Sequence, residues 1–200
     1  MGVTMRWIAG LIALAAYCEI VVPAHALDLT PAQTEGPYYP RQKPTETDGD
    51  LTKVGSGPQA KGDPLDLSGN VVDAGGKPLA GARVEIWQTD HQGIYAHAGD
   101  PKTSRRDTTF QFYGAVTTSE AGAFAFRTVM PGAYGGRPRH IHIKVTPASG
   151  STLTTQLYFE GDPDLARDGI VRRLGPALSR VLLRPSSEPP GAARKAAITI

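Results

Sequence analysis

The chain has 200 residues, with 21 Lys and Arg against 19 Asp and Glu; a net charge of +2 and no basic stripe argue against a nucleic-acid partner. Hydrophobic residues make up 40% of it, enough for a core, while 23 Gly and 17 Pro without a period point to many turns and exclude collagen. A single Cys excludes an intramolecular disulfide framework and any Cys-based zinc site.

Residues 1–26 carry one cation, Arg6, ahead of the apolar run Trp7–Ala16, and end in Ala24-His25-Ala26, the small residues that a signal peptidase reads. The expectation is export, periplasmic or extracellular, with cleavage near Ala26. No stable membrane association should follow, since the run is short and soon interrupted by Glu19. Cleavage removes Cys18, the only thiol, which suits an oxidising compartment. Residues 27–200 then form one domain.

From Leu27 to about Asp63 there is punctuation without periodicity, which predicts an ordered arm followed by a flexible loop. Strand patterning starts at Leu65. Asp66–Val72 ends in the turn signal Asp73–Gly76, and Ala82–Thr89 alternates, with Val84, Ile86 and Gln88 on one face and Arg83, Glu85 and Trp87 on the other. Further strands are predicted at Tyr113–Thr118, Ala123–Val129, His140–Thr146 and Thr154–Glu160. Leu165–Leu183 suits at most a short helix. Pro185–Arg194 reads as loop and Ala197–Ile200 as a last strand. Short strands at this spacing predict an all-β sandwich or barrel.

His140-Ile141-His142 is the sharpest local feature. On a strand, residues i and i+2 face the same way, so two imidazoles can grip one metal ion without bending the backbone. Two histidines alone are an incomplete ligand set. Upstream, the Gly- and Pro-rich loop 131–139 delivers Tyr134 and Arg137, and Gly93-Ile94-Tyr95 follows the strand ending at Thr89. A phenolate is a hard anionic donor, suited to ferric iron and unusual for zinc, and a trivalent ion would pull its pKa far below about 10. Imidazole suits iron as well.

Four segments, TEGPYYP (34–40), LSGNVVDAGGKPLAGARVEIWQTDHQGIY (67–95), FRTVMPGAYGGRPRHIHIKV (126–145) and LTTQLYFEGDP (153–163), stand in an order that resembles the intradiol ring-cleavage dioxygenases. That family includes catechol, hydroxyquinol and protocatechuate dioxygenases, and the length and arm are most similar to a protocatechuate 3,4-dioxygenase-like subunit. The resemblance implies a β-sandwich with an N-terminal arm and long active-site loops. It implies non-haem Fe(III) held by Tyr95, Tyr134, His140 and His142, with O2 as co-substrate and no organic cofactor. Tyr134 takes the place of the tyrosinate that leaves the metal when substrate binds, and Tyr95 that of the one that stays. Arg137 should lie against the substrate ring, Gln156 should belong to the pocket, and Tyr38 and Tyr39 resemble residues of the substrate mouth.

The implied activity is cleavage of a catechol-type ring to a cis,cis-muconate-type product by a self-sufficient chain, with a homo-oligomer left open. His91 and His97 match no ligand and are expected on the surface. Trp87 is expected to pack on a sheet face, and Arg139 to point away from the metal. Two other readings stand beside this one. A secreted transthyretin-like or adhesin-type binding module shares Gly-x-Pro-Leu-x-Gly-Ala-x-Val (76–84), and a zinc or copper hydrolase would use the same histidines.

Overall fold

The computed structural model describes residues 2, 27–186, 188–189 and 192–200; apart from Gly2, the expected signal segment up to Ala26 lies outside the described residues. Eight strands form two sheets. The smaller has the order β4 (Ala123–Val129), β1 (Pro64–Asn70), β8 (Arg194–Thr199). The larger has the order β3 (Tyr113–Thr117), β2 (Arg83–Trp87), β5 (His140–Thr146), β6 (Leu153–Phe159), β7 (Leu182–Leu183). Pairing is antiparallel except for β1 with β8 and β6 with β7.

Alternation along the strands explains why the sheets stack. Leu65 and Leu67 of β1 and Phe124 and Phe126 of β4 meet Val84 and Ile86 of β2, Ile141 and Ile143 of β5 and Leu157 of β6 in one apolar cluster. Each such side chain, fully buried, contributes about 1.5–3 kcal/mol. The opposite face of the larger sheet is also buried, but by polar and aromatic groups: Glu85, Trp87, Tyr113, His142, Gln156 and Tyr158. A half-buried antiparallel sheet normally leaves that face to water. Here the arm and the long loops lie over it, and the resulting closed polar layer is where the chemistry-bearing residues meet.

One expectation is corrected. Segment 47–52 is not a flexible loop: Leu51 is fully buried, its N–H donates to the Arg127 carbonyl, and its own carbonyl accepts from Gln111. The Ala115 and Arg127 N–H groups also donate to Thr47 and Gly49, so this stretch bridges the free edges of β3 and β4. One leucine among polar residues is too weak a period to show this. The region 165–183 contains α1 (Gly169–Leu174) flanked by two 3-10 turns, Leu165–Arg167 and Gly175–Val181. Asp168 caps α1 at its start, and Gly175 in the left-handed region followed by Pro176 stops it. No helix among the described residues is long and apolar enough to cross a membrane.

Candidate functional site

β5 is the middle strand of the larger sheet, and its register decides what surrounds the two imidazoles. His142 stands opposite Trp87 of β2 and Gln156 of β6, and His140 opposite Tyr158. The two rings are 4.9 Å apart between centroids. His140 Nδ1 donates to the Pro138 carbonyl at 2.7 Å, which leaves Nε2 as the lone-pair nitrogen. The His142 ring stacks on Trp87 at 4.7 Å and 11°. Gly36 of the arm closes the far edge of His142: a β-carbon there would stand 3.3 Å from Cε1.

Two loops bring the phenols. The first runs from β2 and is organised by carboxylates. Asp90, fully buried, accepts from the N–H groups of Gln92, Ile94 and Asp107, and Asp100 accepts from the Tyr95 N–H at 2.8 Å. Tyr95 is thereby fixed in the interior, 2% exposed. The second loop carries Tyr134 from β4 toward β5 and is half-buried. Gly135 and Gly136, both with positive φ and open space around them, follow it. Tyr95 and Tyr134 meet edge to face at 5.1 Å; Tyr134 lies 5.4 Å from His140, and Tyr95 6.4 Å from His142.

This arrangement suits a cation. Burial, then the nearby charges, holds both imidazoles neutral: His140 is lowered to about 4, by desolvation and by Arg137, and His142 well below its usual value. Burial and the adjacent Tyr134 push the Tyr95 phenol well above its usual value. Tyr95 Oη and His142 Nδ1 are buried without any hydrogen-bond partner. Such orphaned atoms cost about 1–3 kcal/mol each unless something else satisfies them. No cluster of three or more His, Cys, Asp or Glu that could hold a metal exists among the described residues. Any cation held here must therefore recruit the phenol oxygens, and two phenols with two neutral imidazoles form a donor set for a hard, highly charged ion.

Arg137 forms the polar wall. Its Nε donates to Asp168 Oδ2 at 2.7 Å, Nη1 to Gln156 Oε1 at 2.9 Å and Nη2 to the Tyr158 hydroxyl at 3.3 Å, while Nη1 stands 3.4 Å from His140 Nε2. Gln156 is fully buried, with its amide donating to the Thr34 carbonyl, and does not face solvent. The arm is clasped at both ends. Gln33 pairs with the edge of β6 through Thr154, Thr155 and Gln156 and accepts from Tyr158. Ten residues on, Lys43 reaches buried Glu85 at 3.1 Å, which also accepts from Tyr39 and Tyr113. Between these clasps the Tyr38 ring lies 4.6 Å from Tyr95 and 5.7 Å from Tyr134, and Tyr39 packs edge-on against Trp87 at 4.8 Å.

The structure thus brings Tyr38, Tyr95, Tyr134, Arg137, His140, His142 and Gln156 around one spot, with Tyr39 one ring further out behind Trp87. Trp87 packs on the sheet face and walls the site at once. Arg139 points away, its N–H and guanidinium both toward Asp162. His97 is not remote from the site: its ring lies 5.5 Å from Tyr38, beside a groove of about 650 Å3 lined by Pro40, Arg41 and Gln42 on the arm side. His91 is half-buried at a surface groove, with Gly62 packed against its β-carbon and its Nδ1 buried without a partner. Sequence reasoning missed Asp90, Asp100, Gln33, Tyr158, Glu85 and Asp168. An Asp preceding a short helical pattern is a capping signal, and only that would have marked Asp168.

Comparison with known proteins gives the family and the fold. The family model described as "Dioxygenase" matches residues 34–194. Catechol 1,2-dioxygenase 1 of Acinetobacter lwoffii is 38% identical over 152 residues, covering 67% of this chain and 47% of that protein. The protocatechuate 3,4-dioxygenase beta chain of Burkholderia cepacia is 38% identical over 144 residues, covering 67% of this chain and 61% of that protein. The chain thus spans about half to three-fifths of the curated relatives it matches. Among solved structures, the dioxygenase domain of a dioxygenase carbohydrate-binding protein fusion from the cellulolytic bacterium Streptomyces sp. SirexAA-E has a TM-score of 0.66 at 35% identity, covering 86% of this chain and 98% of that one. Catechol 1,2-dioxygenase from Acinetobacter sp. ADP1, inhibited by bound mercury, has a TM-score of 0.67 at 29% identity, covering 86% and 62%.

Proposed function

The chain belongs to the intradiol ring-cleavage dioxygenase family, and from that premise we propose that it cleaves a catechol-type ring between its two hydroxyl-bearing carbons, with non-haem Fe(III) and O2, to a cis,cis-muconate-type product. The observation that carries this reading is the convergence of two phenols and two neutral imidazoles around buried, unpartnered donor atoms. Tyr95, Tyr134, His140 and His142 would hold the iron. Bound there, Fe(III) supplies the Lewis acidity that keeps a catechol deprotonated and draws charge from its ring, opening it to O2.

The chain's own residues do the rest. Tyr95, locked by Asp100 at its backbone and buried, is the phenol that stays. Tyr134, only half-buried, is the phenol that would leave; as the phenolate that iron would stabilise, its Oη would accept a proton from an incoming catechol hydroxyl. Arg137, held rigidly by Asp168, Gln156 and Tyr158, presents positive charge toward the anionic ring and the developing acyl group. Tyr38 and Trp87 wall the site and exclude water, which strengthens these interactions.

A transthyretin-like binding module has no use for buried phenols aimed at two imidazoles, and a zinc or copper hydrolase has no use for a second tyrosine. The test is iron loading followed by oxygen uptake on a panel of catechol, protocatechuate, hydroxyquinol and chlorinated catechols with product identification. The expected result is a visible tyrosinate-to-Fe(III) absorption and a product opened between the hydroxyls. Colourless iron-loaded protein, or a ring opened beside the hydroxyls, would overturn it. We propose export as well, read from residues 1–26; a secreted or periplasmic product whose N-terminus is Leu27 is the expected finding, and retention in the cytoplasm the contrary one.

A further inference from the structure

We propose that Asp168 is a positioning residue for Arg137, a role that rests on the dioxygenase reading and adds a residue to its machinery. Asp168 is distant in sequence from every donor of the site, and its carboxylate is divided between two tasks. Oδ1 accepts from the Ile170 and Val171 N–H groups at 2.7 and 2.8 Å, anchoring the side chain to the first turn of α1. Oδ2 takes the Arg137 Nε at 2.7 Å, and the two side chains are only 5% and 17% exposed. Because Oδ1 is pinned to backbone, Oδ2 is fixed in space, and it orients the guanidinium so that Nη1 and Nη2 reach Gln156 and Tyr158 beside His140.

Two physical consequences follow. Arg137 follows Gly135 and Gly136 in a turn closed by its own N–H donating to the Tyr134 carbonyl at 2.9 Å, which places its backbone but leaves the direction of its long side chain to its partners. Its other partners, Gln156 and Tyr158, are neutral, so among these three only the carboxylate meets the guanidinium with an opposite charge. Asp168 also offsets a buried cation beside two imidazoles expected to bind another cation. Removing it would release the guanidinium and add net positive charge to the metal pocket. Asp162 acts in a similar way on Arg139, accepting from its N–H at 3.1 Å, so the segment 137–140 is held from both sides.

The test is a mutant cycle on the full iron-loaded chain. Asp168→Asn keeps an oxygen for the α1 cap and removes the charge, so the metal-free variant should keep the wild-type sheet content by circular dichroism even as the lost ion pair lowers its unfolding temperature. Its kcat/KM on catechol should fall about 10–100-fold, and the visible tyrosinate-to-Fe(III) absorption should shift. In an Arg137→Ala background the same substitution should cost less than about twofold, because a positioning residue has nothing left to position. Asp168→Glu should recover some of the loss. An equal loss in both backgrounds, or an unchanged spectrum and rate in Asp168→Asn, overturns the role while leaving the dioxygenase reading intact. Wild-type protein that neither colours nor cleaves a catechol overturns both.

Discussion

Gly132 lies so close to Gly93 that a β-carbon added to it would stand 2.2 Å from the Gly93 nitrogen. The reverse holds too, with a β-carbon on Gly93 falling 2.1 Å from the Ala133 carbonyl oxygen. Gly132 N–H donates to the Asp90 carbonyl and its own carbonyl accepts from Thr89, so the loop of Tyr95 and the loop of Tyr134 are seated backbone on backbone.

Gly132→Ala should therefore separate the two phenols without touching either. Backbone cannot yield as a side-chain tip can, and Gly93 also occupies a positive φ. We expect at least a tenfold loss of iron affinity, measured by titration of the visible absorption, with sheet content by circular dichroism retained. Affinity equal to wild type would show that the contact does not set the spacing of the phenols.

Tyr95→Phe should separate stability from function. The hydroxyl is buried without a partner, so deleting it from the metal-free protein removes an unsatisfied group worth about 1–3 kcal/mol. The metal-free variant should unfold at or above the wild-type temperature, yet bind iron far more weakly. A clear drop in the metal-free unfolding temperature would argue that the hydroxyl serves the fold.

Glu85 should make stability depend on pH. Burial pushes its carboxyl up, but hydrogen bonds from Tyr113 and Lys43 more than reverse this, leaving it below its usual value; Tyr39 and Arg83 face it as well. A carboxyl lowered in the folded state contributes stability above its unfolded value, about 4.3, and loses it as pH falls through the folded value. The difference in unfolding temperature between wild type and Glu85→Gln should be constant from pH 7 to about 5 and shrink below that. A difference that grows on acidification would contradict this assignment.

Trp87 should report metal binding directly. It stacks on His142 at 4.7 Å, and a chain beginning at Leu27 contains no other tryptophan. Its emission should be quenched as Fe(III) is added, with the same midpoint as the visible absorption. Trp87→Leu should weaken iron binding by freeing the imidazole, and Trp87→Phe, which keeps a flat ring against it, should weaken it less. Emission indifferent to iron would place the metal away from His142.

Much of the site was legible in the chain because its core is local. His140 and His142 need only a strand to share a face, and β5 has the bounds His140–Thr146 that the β-branched pattern predicts. Alternation in Val84, Ile86 and Gln88 likewise identified the inner face of β2, and Gln88 is indeed fully buried, bonded to Val129 and Thr128. Tyr95 and Tyr134 were found by their motif flanks rather than by any period, since loops have none.

What lay beyond the sequence is long-range. The arm was read as ordered but its anchors were not legible, because Gln33 grips β6 and Lys43 grips Glu85, partners 42 to 125 residues away. Asp168 meets Arg137 across 31 residues, and Leu51 enters the core through the edges of β3 and β4. The sequence by itself determined every strand but the two-residue β7, the glycine turns and the chemical identity of the donors, because these depend on side-chain type and short-range backbone preference. Only the tertiary structure decided which face became closed and which carboxylate holds which cation, because burial and pairing energies arise when distant segments exclude water together.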